Sequence, residues 1–272
     1  MSFHFEEATL RGLAERHRHS YAISQPFPHV VLDDFLPPDV LEAVLAEFPS
    51  PAQSAWRRYD QDTERKLAIT DDELMGDATR HLLAEFSGHA FVVFLEVLTG
   101  IEGVIPDPHF RGGGLHQIER GGFLKIHADF NVYDRLRLDR RINVLLYLNM
   151  DWREEYGGHF ELWDASTMSQ CGRILPTFNR CVIFNTTDTS YHGHPEPLTC
   201  PTGWTRKSLA LYYYTNGRPE HEQADPHGTL FRQRADERDT KGSGVKAVVR
   251  RYVPPVVLDV AAKARARKRT RN

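Results

Sequence analysis

The chain has 272 residues, of which 40% are hydrophobic, and a formal net charge of -3. This length and apolar content are sufficient for a substantial core in one large domain or two small ones. The small net charge excludes a surface built throughout for nucleic acid or anionic membrane. Three cysteines without paired spacing exclude a disulfide scaffold and a zinc finger. We expect a cytoplasmic protein with no membrane partner, because no stretch has the apolar length of a signal peptide or a membrane span.

The first hundred residues predict mainly helices with some strand. The run "HVVLDDFL" at 29–36 is typical of a strand, and "PPDVLEAVLAEF" at 37–48 places its apolar residues on one helical face. Thr70 and Glu73 have the spacing of a capping box ahead of a long apolar stripe. We therefore predict one or two helices between residues 70 and 100.

The residues beyond Gly100 predict an antiparallel β-structure. Glycine pairs there separate short runs rich in aromatic and β-branched residues. The clearest strands are "INVLLYLN", "HFELW", "CVIFN" and "SLALYYYT". Short strands with turn-rich connections favour a sandwich or barrel over alternating βαβ units. The predicted organisation is a helical and strand buttress (1–100) of the same domain as a β-rich core (101–218), followed by a polar loop and an extension with a basic tail (219–272).

The C-terminal stretch "AAKARARKRTRN" carries six basic side chains and no acid. A cluster of this kind can act as an arm that binds nucleic acid or phosphate. A solvated, fraying chain end is the simpler interpretation, since termini commonly behave in this way. We therefore do not predict a nucleic-acid partner.

Two candidate metal ligands lie one residue apart in "FLKIHADFNVYD". Because side chains alternate along a strand, His127 and Asp129 point to the same face and can reach one ion. Such a pair is common by chance, so the interpretation needs a third ligand. A later strand in "TTDTSYHGHPEPL" offers His192 and His194, which share one parity, and either completes a set of two imidazoles and one carboxylate. This set suits non-haem Fe(II), because it leaves coordination positions open for oxygen chemistry.

A candidate cosubstrate site lies on two other strands of the core. A 2-oxo acid can fill two open iron positions, and its far carboxylate then needs a fixed cation. Arg206 in "TRKSLALYYYT" offers a guanidinium, and Ser208 shares its face of the strand. In "INVLLYLN", Tyr147 is a candidate hydroxyl donor, and Asn143 is a second candidate on the same face.

Four motifs follow one another in a fixed order along the core. They are "HAD" at 127–129, "YGGHFELW" at 156–163, "YHGHPEPL" at 191–198 and "RKSLALYYY" at 206–214. In this order they resemble the 2-oxoglutarate and Fe(II) dependent dioxygenases of the prolyl 4-hydroxylase-like group. The resemblance implies a mainly β fold with flanking helices, whose core is a double-stranded β-helix, the cupin-like jelly roll.

The resemblance also implies a role for each candidate residue. It gives the iron three ligands, which are His127, Asp129 and His192. His194 then stands in the apolar position that follows the third ligand. Arg206 and Ser208 match the motif that binds the far carboxylate of 2-oxoglutarate, and Tyr147 matches a tyrosine that assists it. The implied cofactors and cosubstrates are Fe(II), 2-oxoglutarate and O2, with ascorbate as a further reductant.

The implied reaction is hydroxylation of an unactivated C–H bond, coupled to decarboxylation of 2-oxoglutarate to succinate. Asp129 disfavours halogenation, because related halogenases have a small residue at that position. The substrate can be an amino acid, a protein side chain or a small metabolite, so the expected partner is a small molecule or a peptide. The alternative is a redox-inactive cupin-type metal protein, either a hydrolase, an isomerase or a binding module. That alternative gives Arg206 and Ser208 no cosubstrate to hold.

Two arginine-rich stretches, 107–122 and 130–141, are expected to form the mouth of the barrel. Their arginines could attract an anionic substrate, although many such charges belong to a solvated rim. Trp152 and Trp163 are further candidates to line the cavity, and a core position is the competing interpretation for both.

Overall fold

The computed structural model describes residues 3–234, in which four α-helices precede the β-rich part of the chain. They are α1 (Glu7–Ile23), α2 (Pro38–Ala46), α3 (Asp77–Phe86) and α4 (His89–Thr99). A proline at its first position starts α2 with a fixed φ. Gly100 ends α4 in the left-handed conformation, with φ of 72°. The helices predicted at 37–48 and between residues 70 and 100 are confirmed.

Fourteen β-strands lie within the described residues. The first three are β1 (His29–Leu32), β2 (Arg57–Asp60) and β3 (Glu64–Ile69). The others are β4 (Ile105–Pro106), β5 (Gly114–Glu119), β6 (Phe123–Ala128), β7 (Val132–Tyr133), β8 (Leu138–Tyr147), β9 (Phe160–Trp163), β10 (Gln170–Ile174), β11 (Arg180–Asn185), β12 (Tyr191–His194), β13 (Thr205–Thr215) and β14 (Leu230–Phe231). The four runs that the sequence marks most clearly as strands fall in β8, β9, β11 and β13.

The predicted helix start at Thr70 is wrong in its details. Asp71 instead caps a short 3-10 turn, Asp72–Leu74, by accepting a hydrogen bond from the Glu73 N–H at 3.1 Å. The first amides of α3 find a distant acceptor, because the Thr79 N–H donates to the carboxylate of Glu47 at 2.6 Å. The local sequence pattern predicted a helix in this region, but the contact with Glu47 sets where α3 begins.

The strands form one curled antiparallel sheet. Its hydrogen-bonded path runs β1-β11-β8-β13-β5-β3-β6-β12-β9-β10. The order of strands in the sheet differs from their order in the sequence, because strands that are consecutive in the chain often lie in different parts of the sheet. This arrangement confirms the predicted mainly β fold with a jelly-roll core and flanking helices. Two strands from the first hundred residues take part: β1 pairs with β11, and β3 joins β5 to β6.

The main hydrophobic core lies between the helices and one face of the sheet. Buried side chains of the helices, such as Leu41 and Phe91, pack with Leu209 and Leu211 of β13. Because side chains alternate along β13, its other face carries Arg206 and its neighbours of the same parity toward the interior of the curl. The packing of the helices therefore fixes which face of the sheet is left for a site.

The chain after β13 returns to the sheet edge. A 3-10 turn at Glu220–Glu222 is followed by β14, which pairs with β6 at His127 and Ala128. The basic tail predicted at the C-terminus lies outside the described residues. Among residues 3–234, no single helix is long and apolar enough to cross a membrane, although α3 and α4, which meet at a 47° bend, satisfy length and composition as a pair.

Candidate active site

A cavity of about 350 Å³ opens inside the curl of the sheet. Six of the seven residues predicted from the sequence line it: His127, Asp129, Asn143, His192, Arg206 and Ser208. The seventh, Tyr147, is fully buried behind this surface and contacts Arg206. The alternation of side chains on β6, β8 and β13 therefore brings distant parts of the sequence to one interior surface, as the parity argument predicted.

Three of these side chains form a compact cluster. The Nε2 atom of His127 lies 3.8 Å from Oδ1 of Asp129, and Nε2 of His192 lies 3.6 Å from Oδ2. One ligand atom from each residue lies within 4.8 Å of the others. The two histidines are direct partners across the antiparallel pair β6 and β12, with ring centroids 4.5 Å apart. Two imidazoles and one carboxylate at this spacing can hold a divalent metal on one side.

Both imidazoles are oriented by the backbone of their own strands. Nδ1 of His127 lies 2.8 Å from the carbonyl oxygen of Lys125, and Nδ1 of His192 lies 2.9 Å from that of Ser190. If each Nδ1 donates its proton to that carbonyl, each Nε2 is a free base that faces the cluster. Burial lowers the pKa of His127 to about 3, and burial also lowers the pKa of His192. Neutral rings are the form that binds a metal.

The carboxylate of Asp129 is held from behind by two side chains. Its Oδ2 accepts a hydrogen bond from Asn143 Nδ2 at 2.7 Å and lies 3.0 Å from Arg140 Nη2. Burial favours a higher pKa for Asp129, but the charge of Arg140 and the hydrogen bond from Asn143 act against it, and that pKa lies well below its usual range. Asp129 is therefore present as a fixed carboxylate anion.

Arg140 is not the rim residue that the sequence indicated. Its side chain is 1% exposed, and its guanidinium lies 3.5 Å from the ring centroid of Tyr212 and 4.4 Å from that of Phe130. It also donates to the Asn143 amide oxygen. The arginine-rich sequence does not indicate that Arg140 turns inward, since its burial also depends on Tyr212, which the fold brings from a distant strand.

His194 does not join the cluster, although it has the same parity as His192. The register of β12 against β6 shifts between these two histidines, so His194 is opposite Leu124. Both of its ring nitrogens are buried without a hydrogen-bond partner. Burial, reinforced by the positive charge of Arg206, holds the pKa of His194 well below its usual value. His194 thus lies on the Arg206 side of the cavity as a neutral ring.

Arg206 is a buried cation in the wall of the cavity. Its Nε donates to the Gly158 carbonyl at 2.8 Å, and its Nη2 donates to the Tyr147 hydroxyl at 3.3 Å. Among the described residues, no carboxylate lies within ion-pair distance of this guanidinium. A buried charge without a counter-ion is costly, so the site fits an anionic group supplied by a ligand. Ser208, two residues along β13, lines the same surface.

The predicted mouth of the barrel is only partly where the sequence indicated. Arg111 does line the cavity, with its guanidinium against the rings of Phe130 and Tyr133. Trp152 and Trp163 do not line it; both are buried in hydrophobic clusters, so the competing core interpretation is the right one. The β2 and β3 strands contribute a wall that the sequence did not predict, including Lys66, which pairs with Glu64 at 3.0 Å.

The cluster and the buried arginine define a class of protein. Residues 113–214 match the family model of the 2OG-Fe(II) oxygenase superfamily, in which 2OG denotes 2-oxoglutarate. This segment contains all seven predicted site residues. The core of this enzyme is therefore similar to the oxygenases of that superfamily, whose cofactors are Fe(II) and 2-oxoglutarate.

Solved structures show the same fold at low sequence identity. A prolyl 4-hydroxylase from Pseudomonas putida is 17% identical, with a TM-score of 0.55 over 75% of this chain and 100% of that one. A Trichoplax adhaerens prolyl hydroxylase, solved with a hypoxia inducible factor peptide, is 16% identical, with a TM-score of 0.55 over 76% and 91%. A Phytophthora capsici prolyl 4-hydroxylase is 19% identical, with a TM-score of 0.54 over 84% and 72%. At these identities the likeness is one of fold. No curated protein sequence matches the chain.

Proposed function

We propose that this enzyme hydroxylates an unactivated C–H bond of an amino acid, a protein side chain or a small metabolite. The observation that carries the proposal is the juxtaposition of the His127, Asp129 and His192 cluster with a buried arginine that has no carboxylate partner among the described residues. The cluster supplies a metal site open on one side, and Arg206 supplies a fixed cation in the same cavity. A cytoplasmic location is part of the proposal and stays a prediction from the sequence.

We assign the metal to His127, Asp129 and His192. Their donor atoms are two neutral imidazole nitrogens and one carboxylate oxygen, which is the set that ferrous iron takes in oxygenases. When bound, the iron supplies the activation of O2. The contacts of Asn143 and Arg140 restrict the rotation of Asp129, and the backbone carbonyls restrict the two rings. The protein thus holds its ligands in place before the metal arrives.

We assign the far carboxylate of 2-oxoglutarate to Arg206. A guanidinium and a carboxylate form two parallel hydrogen bonds, which fix the direction of the cosubstrate as well as its affinity. The Tyr147 hydroxyl holds one side of the guanidinium, and Ser208 is placed to donate to the same carboxylate. Asn143 was predicted as a further cosubstrate residue, but its amide contacts favour a role in orienting Asp129.

The overall reaction balances without an external reductant. One oxygen atom of O2 enters succinate as 2-oxoglutarate loses CO2, and the other becomes the new hydroxyl group of the substrate. Ascorbate is predicted only as an auxiliary reductant. The residues of the chain bind and orient the cosubstrate beside the metal site. The expected partner is a small molecule or a peptide whose reactive carbon enters this cavity.

An anaerobic titration tests the proposal. Fe(II) added to the protein with 2-oxoglutarate should produce the weak visible charge-transfer band of the chelated keto acid. Arg206→Met should shift the titration to much higher 2-oxoglutarate concentrations without loss of metal binding. A wild-type protein that binds metal but shows no band would favour the redox-inactive cupin-type alternative. In that case, Arg206→Met should leave its activity nearly unchanged.

A further inference from the structure

A short C-terminal segment lies beside the metal cluster, outside the segment that matches the superfamily. We call residues 225–232 the C-terminal strap. Within it, β14 pairs with β6 so that Leu230 is opposite Ala128 and Phe231 is opposite His127. The Arg232 N–H continues the ladder by donating to the carbonyl of Ile126 at 2.9 Å. The strap therefore covers the edge of the strand that carries the first candidate ligand.

Side chains fasten the strap at both ends. Near its start, the His227 N–H donates to Asn131 Oδ1 at 2.9 Å. The Nδ2 of Asn131 in turn donates to the carbonyl of Asp225. His227 Nε2 lies 2.8 Å from Oδ1 of Asp188. At its end, Arg232 Nε donates to the Tyr191 hydroxyl at 3.0 Å.

These anchor points place the strap relative to the site. Asn131 follows Asp129 by two residues, and Tyr191 directly precedes His192. The strap is therefore attached to chain segments next to the candidate ligands. It is held at a defined distance from the metal cluster, and its position is set by several contacts at once.

Phe231 is the residue of the strap whose side chain lies beside the metal cluster in the cavity. It lines the cavity, and its ring centroid is 5.6 Å from that of His127. It is also 38% exposed, which is unusual for a phenylalanine. The rings that flank His192 on the other side, Phe160 and Phe184, are 3% and 0% exposed and belong to the core. Phe231 therefore presents an open apolar surface to the cavity beside the metal cluster.

We propose that the C-terminal strap is the substrate-facing wall of the active site, and that Phe231 selects substrates that place an apolar group beside the reacting carbon. The inference rests on the proposed hydroxylase function. An apolar group that covers the exposed face of Phe231 removes that surface from water, and this contributes to binding in proportion to the area covered. The ring of Phe231 lies beside His127, whereas Arg206 and Asp129 are held by other residues, so the effect of Phe231 falls on the substrate.

The neighbouring residue provides a matched control. Leu230 lies in the same strand pair, is 36% exposed and does not line the cavity. Alternation along the strand points its side chain away from Phe231. Leu230→Ala therefore removes a similar amount of apolar surface from the strap without altering the cavity, and Phe231→Leu retains an apolar side chain of smaller size.

The first measurement is hydroxylation of a panel of free L-amino acids and N-acetyl amino-acid amides with aliphatic, aromatic and charged side chains. Phe231→Ala should lower kcat/KM at least tenfold for the preferred apolar compound and change the order of preference, with Phe231→Leu in between. Leu230→Ala should stay within twofold of the wild type. The affinities for Mn(II) and for 2-oxoglutarate should stay within twofold in all three variants. An unchanged order of preference in Phe231→Ala would overturn the proposal.

A second measurement does not depend on the identity of the substrate. The rate at which EDTA removes Co(II) from the protein, at saturating 2-oxoglutarate, reports how well the cavity wall shields the metal. Phe231→Ala should release Co(II) at least fivefold faster than the wild type, and Leu230→Ala should not. Equal rates for the two variants, with no panel compound hydroxylated, would overturn the proposal. Absence of the charge-transfer band in the wild type would instead contradict the hydroxylase function. The Co(II) experiment tests the role of Phe231 without that function, so it distinguishes a wrong strap proposal from a wrong hydroxylase proposal.

Discussion

His127 and His192 lie directly opposite each other on antiparallel strands, with their ring centroids 4.5 Å apart. This register makes two residues that are far apart in sequence into one pair of candidate ligands. The shift in register after His192 then turns the next histidine of the same parity, His194, to another part of the cavity. One irregularity in β12 therefore decides between two histidines that the sequence could not separate from parity alone.

The first prediction separates these two histidines. His192→Ala should weaken Fe(II) binding by roughly 100-fold or more, since loss of a direct ligand exceeds the cost of losing an outer hydrogen bond. His194→Ala should bind Fe(II) within about threefold of the wild type, because its ring lies outside the cluster. Anaerobic titration with metal analysis of both variants checks this. Retention of tight binding by His192→Ala would show that the cluster is not the metal site.

The second prediction concerns the buried cation. Arg206→Met should weaken 2-oxoglutarate binding by roughly 100-fold or more, because it removes a charge-assisted and bidentate contact. Arg206→Lys should recover only part of the loss, since an ammonium cannot form both bonds. Tyr147→Phe removes a single hydrogen bond to the guanidinium and should cost roughly 3- to 10-fold. Isothermal titration of the Mn(II)-loaded protein measures all three, and equal affinities would exclude Arg206 from the cosubstrate site.

The third prediction distinguishes two roles for Asn143. If the amide orients Asp129, Asn143→Ala should weaken Fe(II) binding by about 10- to 100-fold, the range found for outer hydrogen-bond partners of metal ligands. The affinity of the metal-saturated variant for 2-oxoglutarate should then change little. The opposite pattern, with intact metal binding and weak cosubstrate binding, would support the cosubstrate role predicted from the sequence.

The fourth prediction concerns a glycine between two strands. A Cβ atom on Gly193 would lie 2.8 Å from the backbone carbonyl oxygens of Leu124 and Lys125, closer than real Cβ contacts allow. Gly193→Ala should therefore push β12 away from β6 and lower the free energy of unfolding by about 1–3 kcal/mol. Gly228→Ala is the control, because a Cβ atom there meets no atom within 4 Å. Gly203 is unsuitable, because its φ of 86° would strain any other residue. Urea denaturation of Gly193→Ala and Gly228→Ala makes the comparison.

The fifth prediction is a pH dependence at the junction of β1 and β11. The hydrogen bond from Arg180 to Asp33, at 2.6 Å, lowers the pKa of Asp33 below its ordinary value. Because the folded-state pKa is the lower one, the pair stabilises the protein above the ordinary carboxyl pKa and loses this effect as the pH falls through the folded-state value. Asp33→Asn should cost about 0.2–1 kcal/mol at pH 7, the range of a solvent-exposed pair.

The difference between Asp33→Asn and the wild type should shrink steadily as the pH falls below about 4, where the unfolded carboxylate begins to protonate. Denaturant curves at several pH values measure it. Asp34→Asn changes the adjacent carboxylate, which forms no ion pair among the described residues, and serves as the control. A difference that is constant with pH would mean that the ion pair does not contribute.

The alternation of side chains along the strands predicted most of the β-structure and the grouping of most candidate site residues. Alternation by two residues along "FLKIHADF", "INVLLYLN" and "RKSLALYYY" was enough to group the candidate ligands and the cosubstrate residues on interior faces. This worked because each of these strands is packed on one side by helices or by other strands, so that a residue of one parity must face the core and its neighbour the cavity. The order of the four motifs added the class of protein.

The features that the sequence did not predict depend on how the fold brings several chain segments together. Arg140 turns inward because Asp129, Asn143 and two aromatic rings surround it. The start of α3 is set by Glu47 rather than by a local cap. The strap lies in a polar stretch whose composition gave no sign that it would pair with β6.

The sequence by itself determined the candidate chemistry: two imidazoles and a carboxylate as candidate ligands, an arginine as the candidate partner of a 2-oxo acid, and the alternation that puts them on one side of each strand. Only the tertiary structure decided which of two histidines joins the cluster, which arginine is buried and what forms the wall beside the reacting carbon. The physical reason is that residue type and strand parity are local properties. Register, burial of a charge and the path of a returning segment are set by contacts between residues far apart in the chain.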